Sequence, residues 1–464
     1  MILREIILFL LALTSLQVYS QTGKVSGTIT SENTPVPFVN VYLQGTSIGT
    51  TSNENGKFVL DNIEYGSYQL VASLTGFSEG IKSILIDQKK STLTVDFSLA
   101  ENAYQIEEVV VSGTRTSKKI TDSPVMVNVL NQRTLESVQA CNLSDGLKFQ
   151  PGLRVETNCQ TCNYTQLRMN GLGGSYSQIL INGRPIFSPL LGLYGLEQIP
   201  TNMLDRVEVI RGGGSALYGS SAIGGTVNII TKLPTKNSYD IGYTSQLINS
   251  KASDHNLVGN ANLISKSKKI GATVFFNHRN RNWYDHNDDG FSELPKIENT
   301  SLGLNLFYKP TQNQKFEISL TNLNEYRYGG EMIDSEPHLA LQSEERKHQV
   351  YMASADYQLN FNDDNTSFIT YAAAQLTLRD HYTGIFPDSI NDVSQHLVFP
   401  PYGDSKNHTL QGGVQLNHRI NNFWLGPNVF TIGAEVLQDD VFDIIEAFNY
   451  LIDQVSINQG VFLQ

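Results

Sequence analysis

The sequence predicts a mainly β protein in three parts: a small β-sandwich, a mixed α/β segment and a long run of alternating strands. Three observations carry this reading. Short β-prone runs separated by turn residues fill the first hundred residues. The composition is rich in Gly (37), Tyr (21) and Phe (21), poor in Cys (3) and Trp (2), and only 17% charged, a balance that suits strands and turns rather than long helices. From Asn237 onward, apolar and polar side chains alternate with the period of two that divides a strand into two faces.

The 464 residues exceed one core, so more than one domain is expected. A formal charge of -12 excludes a nucleic-acid partner, because neutralising phosphates needs a Lys/Arg surplus. Residues 1–20 read as a secretory signal, with Arg4 near the start, an apolar run from Ile6 to Leu13, and the small residues Val18 and Ser20 before a cut near Gln21. The run is too short to span a bilayer, and no later stretch reaches the ~18 apolar residues of a spanning helix. Any membrane residence must therefore be that of a barrel.

Residues 21–100 hold the sandwich strands: Lys24 to Thr30, Phe38 to Leu43, Gly56 to Leu60, Ser67 to Leu74, Ile81 to Ile86 and Thr92 to Leu99. The pattern Val25-Ser26-Gly27, Pro35-Val36-Pro37-Phe38-Val39-Asn40-Val41, Gly45-Thr46, Asn55-Gly56-Lys57-Phe58 and Gly66-Ser67-Tyr68 resembles the carboxypeptidase regulatory-like domain. That resemblance implies a transthyretin-like sandwich, with Asn53 where the family often has Asp. No His and Glu pair with zinc-ligand spacing accompanies it, so peptidase activity is not expected.

Residues 101–122 form a polar linker broken by the β-prone run Ile106-Glu107-Glu108-Val109-Val110-Val111. It reads either as one more edge strand or as an extended segment that adds to a partner's sheet edge, main chain to main chain.

Residues 123–235 change to mixed α/β. Leu143-Ser144-Asp145-Gly146-Leu147 predicts a short helix that Pro151-Gly152 stops ahead of a strand. Leu167-Arg168-Met169-Asn170-Gly171, Gln178-Ile179-Leu180-Ile181-Asn182-Gly183-Arg184-Pro185, Asp205-Arg206-Val207-Glu208-Val209-Ile210-Arg211-Gly212 and Gly224-Gly225-Thr226-Val227-Asn228-Ile229-Ile230-Thr231 follow. In this order the motifs resemble the plug domain of TonB-dependent receptors. The resemblance implies that Ile106 to Val111 is a TonB box, and that plug apices meet a ligand. Asn163, Tyr164, Ser175, Tyr176, Phe187, Leu190 and Tyr194 are the candidates for that contact. Arg168, Arg206, Glu208 and Arg211 are expected to anchor the plug in a polar lumen, against inward carboxylates such as Glu317 or Glu435.

In Val350 to Asn362 the odd positions Tyr351, Ala353, Ala355, Tyr357, Leu359 and Phe361 are apolar, and all the even ones after Met352 are polar. The same split recurs in Leu302 to Tyr308, Phe316 to Leu320, Phe368 to Leu378 and Leu410 to Ile420. A soluble sandwich alternates in this way too; after an export signal and a plug, residues 236–464 are read as the first part of a transmembrane antiparallel β-barrel. The resemblance implies about 22 strands, of which about ten are counted here. The chain is accordingly expected to be a truncated gene product, since an open sheet edge facing lipid leaves its amides and carbonyls without partners.

The remaining motifs are weaker. Cys159 and Cys162 form a C-x-x-C; in an exported chain without a second zinc pair, a local disulfide is expected, with Cys141 left as a buried thiol. The glycines near Gly212 lack the Lys-Ser/Thr of a phosphate loop and read as tight turns. Asp285, Asp288 and Asp289 resemble a calcium loop without its terminal Glu, so a solvated loop is the plainer reading. His286, His338, His381 and His396 are placed in loops, as surface histidines or as a haem ligand. No nucleophile, base and orienting acid stand at a recognisable spacing, so no enzyme activity and no resident cofactor are expected. The resemblance implies import of a ferric siderophore, haem or cobalamin, with the periplasmic domain of TonB, outer-membrane lipid, a small metal-chelate or cofactor ligand and a surface lipoprotein as partners. The sandwich is expected in the periplasm. The alternative is a ligand-binding or signalling receptor that its barrel only anchors.

Overall fold

The computed structural model describes residues 22–31, 34–74, 77–100, 109–115, 118–123, 125–157, 161, 164–185, 195–212, 215–361, 365–423 and 426–464. The expected export signal, Ile106 to Glu108, Cys159, Cys162, Asn163, Phe187, Leu190 and Tyr194 lie outside them. The chain divides into two compact units, Met1–Glu108 and Val109–Gln464.

In the first unit two sheets enclose a core that includes Val25, Ile29, Val41, Leu43, Phe58 and Leu70, all buried. One sheet is built on the strand Thr22–Ser31, which pairs antiparallel with Lys57–Glu64 and parallel with Thr92–Thr94 and Phe97–Ser98. The other runs Gly49–Thr51, Asn40–Leu43, Gly66–Ser73, Gly80–Ile86. The run Thr92 to Leu99, expected as one strand, is two. At the break the Asp96 carboxylate accepts from the Thr28 amide at 2.7 Å, taking the place of a ladder carbonyl. Gly27 faces this break so closely that a Cβ would lie 2.0 Å from the Val95 carbonyl oxygen. The Asn53 amide oxygen accepts from the backbone N–H of Asn55 and of Lys57, each at 3.0 Å, so it closes its own turn.

The second unit begins as a mixed domain. Its sheet runs Val127–Asn131, Leu204–Arg211, Gly225–Thr231, Ser177–Ile181, the last pair parallel. Buried valines, isoleucines and leucines on these strands pack on two short helices, Gln132–Ser137 and Leu143–Leu147. Each helix starts where sequence rules place it: Asn131 and Asn142 accept the amides of Thr134 and Asp145, both at 3.0 Å. After the second helix Gly152 adopts φ +82, a left-handed conformation that favours glycine, and releases the chain into the hairpin Leu153–Thr157/Thr165–Met169.

From Ser238 to Leu463 the chain is a meander of ten antiparallel strands, each hydrogen-bonded to the next. Side chains alternate as the sequence requires. Tyr351 is exposed on the outer face while Val350 and Met352 are buried on the inner. Tyr308, Phe316 and Tyr357 stack in adjacent register positions near the short turns, forming part of an aromatic girdle. The longer connections, 282–295, 331–341 and 386–401, all fall on the opposite rim, and the last carries the helix Ile390–Val398. The inner face is less polar than its alternation suggests: Phe275, Leu323, Val350, Met352 and Ala373 join the core of the mixed domain. That domain therefore sits against the inner side of the wall as one continuous packed body.

Candidate functional site

Charged and aromatic side chains tie the mixed domain to the wall in three places. In the first, Arg115 is buried between the rings of Tyr218 and Phe462, 4.8 and 4.7 Å from their centroids. Its Nη1 donates to Glu435 at 2.7 Å, and Tyr371 donates to the same carboxylate at 2.9 Å. Burial opposes the Arg115 charge, but Glu435 more than compensates and raises its pKa. In the second, Arg184 leaves the Asn182-Gly183 turn, pairs with Asp356 on the wall and lies 3.5 Å over the Tyr371 ring. In the third, Glu197 pairs with Arg327 and accepts from the Thr165 hydroxyl at 2.5 Å. Burial alone would raise the Glu197 pKa; Arg327, Thr165 and Arg281 together hold it at about 2. Gln198 and Asn202 add hydrogen bonds to Glu325 and to the Phe276 carbonyl, at 3.2 and 2.9 Å.

The segment that enters the second unit is fastened to the same structure. Val109–Val110 pairs antiparallel with Lys118–Lys119, and the Val110 side chain is buried with Val127 and Ile210. The Glu208 carboxylate, fully buried, accepts from the amides of Val111 and Ser112, both at 2.8 Å, and from the Ser112 hydroxyl at 2.7 Å. Asn228 donates to that hydroxyl, and Tyr218 donates to the Ser112 carbonyl, both at 2.9 Å. Burial, with Glu208 nearby, pushes the Tyr218 phenol up to about 12, so it remains a donor.

The expected anchors are placed differently. Arg206 pairs with Asp205 and Glu208, and Arg168 with Glu156, all inside the mixed domain. Arg211 lies across Gly152, and Glu317 pairs with Lys315 on the wall itself. Arg206–Glu208 and Lys315–Glu317 stand two residues apart on one strand and Arg168–Glu156 meet within one hairpin, so each finds its partner locally. The cross-gap pairs come instead from Arg115, Arg184 and Glu197, which stand in turns or a short helix and so reach the wall. Of these carboxylates and arginines, Glu435 alone is among the anchors expected from sequence; the signals for the others are an Asn-Gly-Arg turn and an inward acid among apolar neighbours.

Of the candidate ligand residues, the described ones, Tyr164, Ser175 and Tyr176, are not brought together. Tyr164 is at the tip of the hairpin, whose neighbour Thr161 accepts from Gln342 at 3.3 Å, at the rim with the long connections. Ser175 and Tyr176 sit beyond the hairpin's other end, in a turn after Met169 where Tyr176 is 47% exposed. Five extended residues, ~17 Å of strand, separate the two ends. Cys141 is free and buried, and burial raises its thiol pKa.

In the loop of Asp285 the carboxylates turn onto the loop itself. Asp285 accepts the amides of Asp288 and Gly290 at 2.7 and 2.9 Å, Asp289 that of Phe291 at 2.8 Å, and Lys251 meets Asp288 at 2.5 Å. Among the described residues no three His, Cys, Asp or Glu side chains converge as a metal site. His381 lies inside the strand Thr366–Ile385, 3.0 Å from Asp443, and not in a loop. His396 is held at 2.8 Å on the His338 carbonyl, and His338 at 3.0 Å on Tyr402.

A globular domain fastened by buried ion pairs to the inner face of an antiparallel, outwardly apolar wall is a plugged transmembrane barrel. Residues 119–226 match the TonB-dependent receptor plug domain, and residues 25–111 match the CarboxypepD_reg-like domain. The vitamin B12 transporter BtuB of Vibrio cholerae is 32% identical over 152 residues, covering 32% of this chain and 25% of that protein. The iron-regulated outer membrane virulence protein of the same species is 36% identical over 152 residues, covering 30% and 23%. The crystal structure of the siderophore receptor PirA from Acinetobacter baumannii superposes with a TM-score of 0.55 at 20% identity, covering 68% of this chain and 48% of that one. The chain thus spans about a quarter of the curated relatives it matches and about half of a solved receptor. Residues 119–226 thus carry a TonB-dependent receptor plug domain, and the chain is similar to receptors and transporters of the bacterial outer membrane.

Proposed function

We propose that the receptor takes up a scarce nutrient across the outer membrane, driven by a pull that TonB exerts on the segment Ile106 to Val111. The observation that carries this reading is the fastening of the next residues. Ser112 is held by Glu208 of the plug and Arg115 by Glu435 of the wall. A load applied at Val111 therefore reaches both bodies within a few residues. The residues Val109 to Val111 are β-branched, and Val109–Val110 already forms a strand with Lys118–Lys119, so a partner strand would exchange one ladder for another. An outer membrane has no nucleotide energy of its own, which is why a mechanical connection is required.

The substrate class is drawn from relatives whose names give vitamin B12 and siderophores; ferric siderophore, haem and cobalamin are the candidates. Tyr164, at the hairpin tip that reaches the long-loop rim, is the described plug residue best placed to meet a ligand from that side. The test is deletion of Glu107 to Val111 in the full-length receptor. Uptake of radiolabelled siderophore or cobalamin should be lost while surface binding is kept. Uptake that persists in the deletion, or that ignores loss of TonB, would favour a receptor anchored by its barrel.

A further inference from the structure

The outer face of the wall carries a groove of about 660 Å³ that is lined almost wholly by apolar side chains. Two adjacent register rows build it. One runs Val274, Leu304, Leu320, Ala353, Ala374, Leu410 across six neighbouring strands. The next, one step nearer the long-loop rim, runs Leu302, Asn322, Tyr351, Leu376, His408. Its depth has a simple origin. Ala353 and Ala374 face each other across the strand pair, and Ala355 and Ala372 do so one step further from the rim, with Gly412 beyond Ala372. This block of small side chains leaves a trough between Leu320 on one side and Leu410 on the other, with Tyr351 and Leu376 closing one end.

The position of the trough says what fills it. It lies on the face that alternation turns away from the plug, between the girdle of Tyr308, Phe316 and Tyr357 and a polar row that includes Thr300, Asn324, Gln349 and Lys406. That places it inside the hydrocarbon band, in the half nearer the long connections. Outer-membrane barrels carry their longer loops on the extracellular side, so that half is assigned to the outer leaflet. Within hydrocarbon the hydrophobic effect offers no driving force, and a bound chain is selected by shape and dispersion. A trough between branched walls and an alanine floor provides that shape where a uniform wall of leucines would not.

We propose that this groove is a binding site for an acyl chain of the outer-leaflet lipopolysaccharide, held more tightly than the surrounding annular lipid. The lipid's polar end then meets the row of His408 and Lys406. The proposal rests on the membrane placement of the wall and not on any particular transported substrate.

The test uses the full-length receptor, extracted from outer membranes and exchanged into detergent, with co-purified lipid measured by mass spectrometry. Filling the floor with Ala353→Leu and Ala374→Leu should lower the lipopolysaccharide retained per receptor about fivefold, the loss of on the order of ten close carbon contacts. Ile318→Leu, a volume-conserving change on the same face beside the trough, should leave retention unchanged. Heat-modifiable migration on a gel checks that each variant is folded. Equal retention by the filled and native receptors overturns the site, as does retention of phospholipid alone. Loss of self-association in the filled variant, with lipid unchanged, would instead make the groove a contact between copies and overturn the lipid assignment.

Discussion

Glu208 accepts three hydrogen bonds from Val111 and Ser112 through one oxygen while Arg206 holds the other, at 2.9 Å from its Nε. Each is a bond between an ionised acceptor and a buried donor, the kind that contributes most and costs most when broken. Glu208→Gln keeps the shape and removes the charge, so the segment should loosen by roughly 1–3 kcal/mol. A nitroxide placed at Val109 should then change from an immobilised to a mobile spectrum; an unaltered spectrum would mean that Glu208 does not hold the segment. Glu197 makes a second prediction. Its folded pKa of about 2 lies below the ordinary carboxylate value, so the stability it supplies is complete above about pH 4.3. It is lost as pH falls from there through about 2. The wild-type receptor should therefore become easier to denature by urea over that interval, by a few kcal/mol at most. Glu197→Gln should be weaker at neutral pH and should lack that acid-dependent portion.

At the scale of elements, periodicity and turn chemistry make much of the fold legible. The helix at Leu143 and its Pro-Gly stop need only local rules. So does the outer face of the wall, because a one-residue slip would turn every side chain to the other side. The inner face was less legible. Met352 follows the wet alternation in sequence, yet it packs with Val350 and Phe275 in the plug core, since part of the lumen is occupied by protein and not by water. The division of Thr92 to Leu99 was hidden for a related reason: Asp96 reads as a solvated strand residue until its partner, the Thr28 amide, is known. The assignment of faces can be tested on the strand Gln314–Gly330, where Ile318 is exposed on the outside. Ile318→Arg, one step inward from the Phe316 girdle, should destabilise insertion into vesicles by on the order of 1–2 kcal/mol, between the interfacial and mid-bilayer costs of a cation. An effect near zero would place this face in water and undo the barrel reading.

Across the whole plugged wall, the pairs that cross from plug to wall were the least legible part of the site, because a sequence cannot show which of two nearby charges a side chain will choose. The geometry now orders them along the path of a pull. Load at Val111 meets the Glu208 bonds first and Arg115 next. Arg184–Asp356 and Glu197–Arg327 lie on other parts of the plug and can hold it against the wall meanwhile. Arg115 is therefore the place where the wall resists, and its removal has two separable consequences. Arg115→Ala should lower the force at which the segment leaves in single-molecule pulling. It should also leave the half-buried Glu435 carboxylate beside Tyr371 without its cation, which costs roughly 1–3 kcal/mol of resting stability. Glu435→Gln in the same chain should recover much of that stability without restoring the force, so the two substitutions should be strongly non-additive. Additive effects, or a release force that does not change, would show that Arg115 is a passenger and that the pull is borne by Glu208 alone.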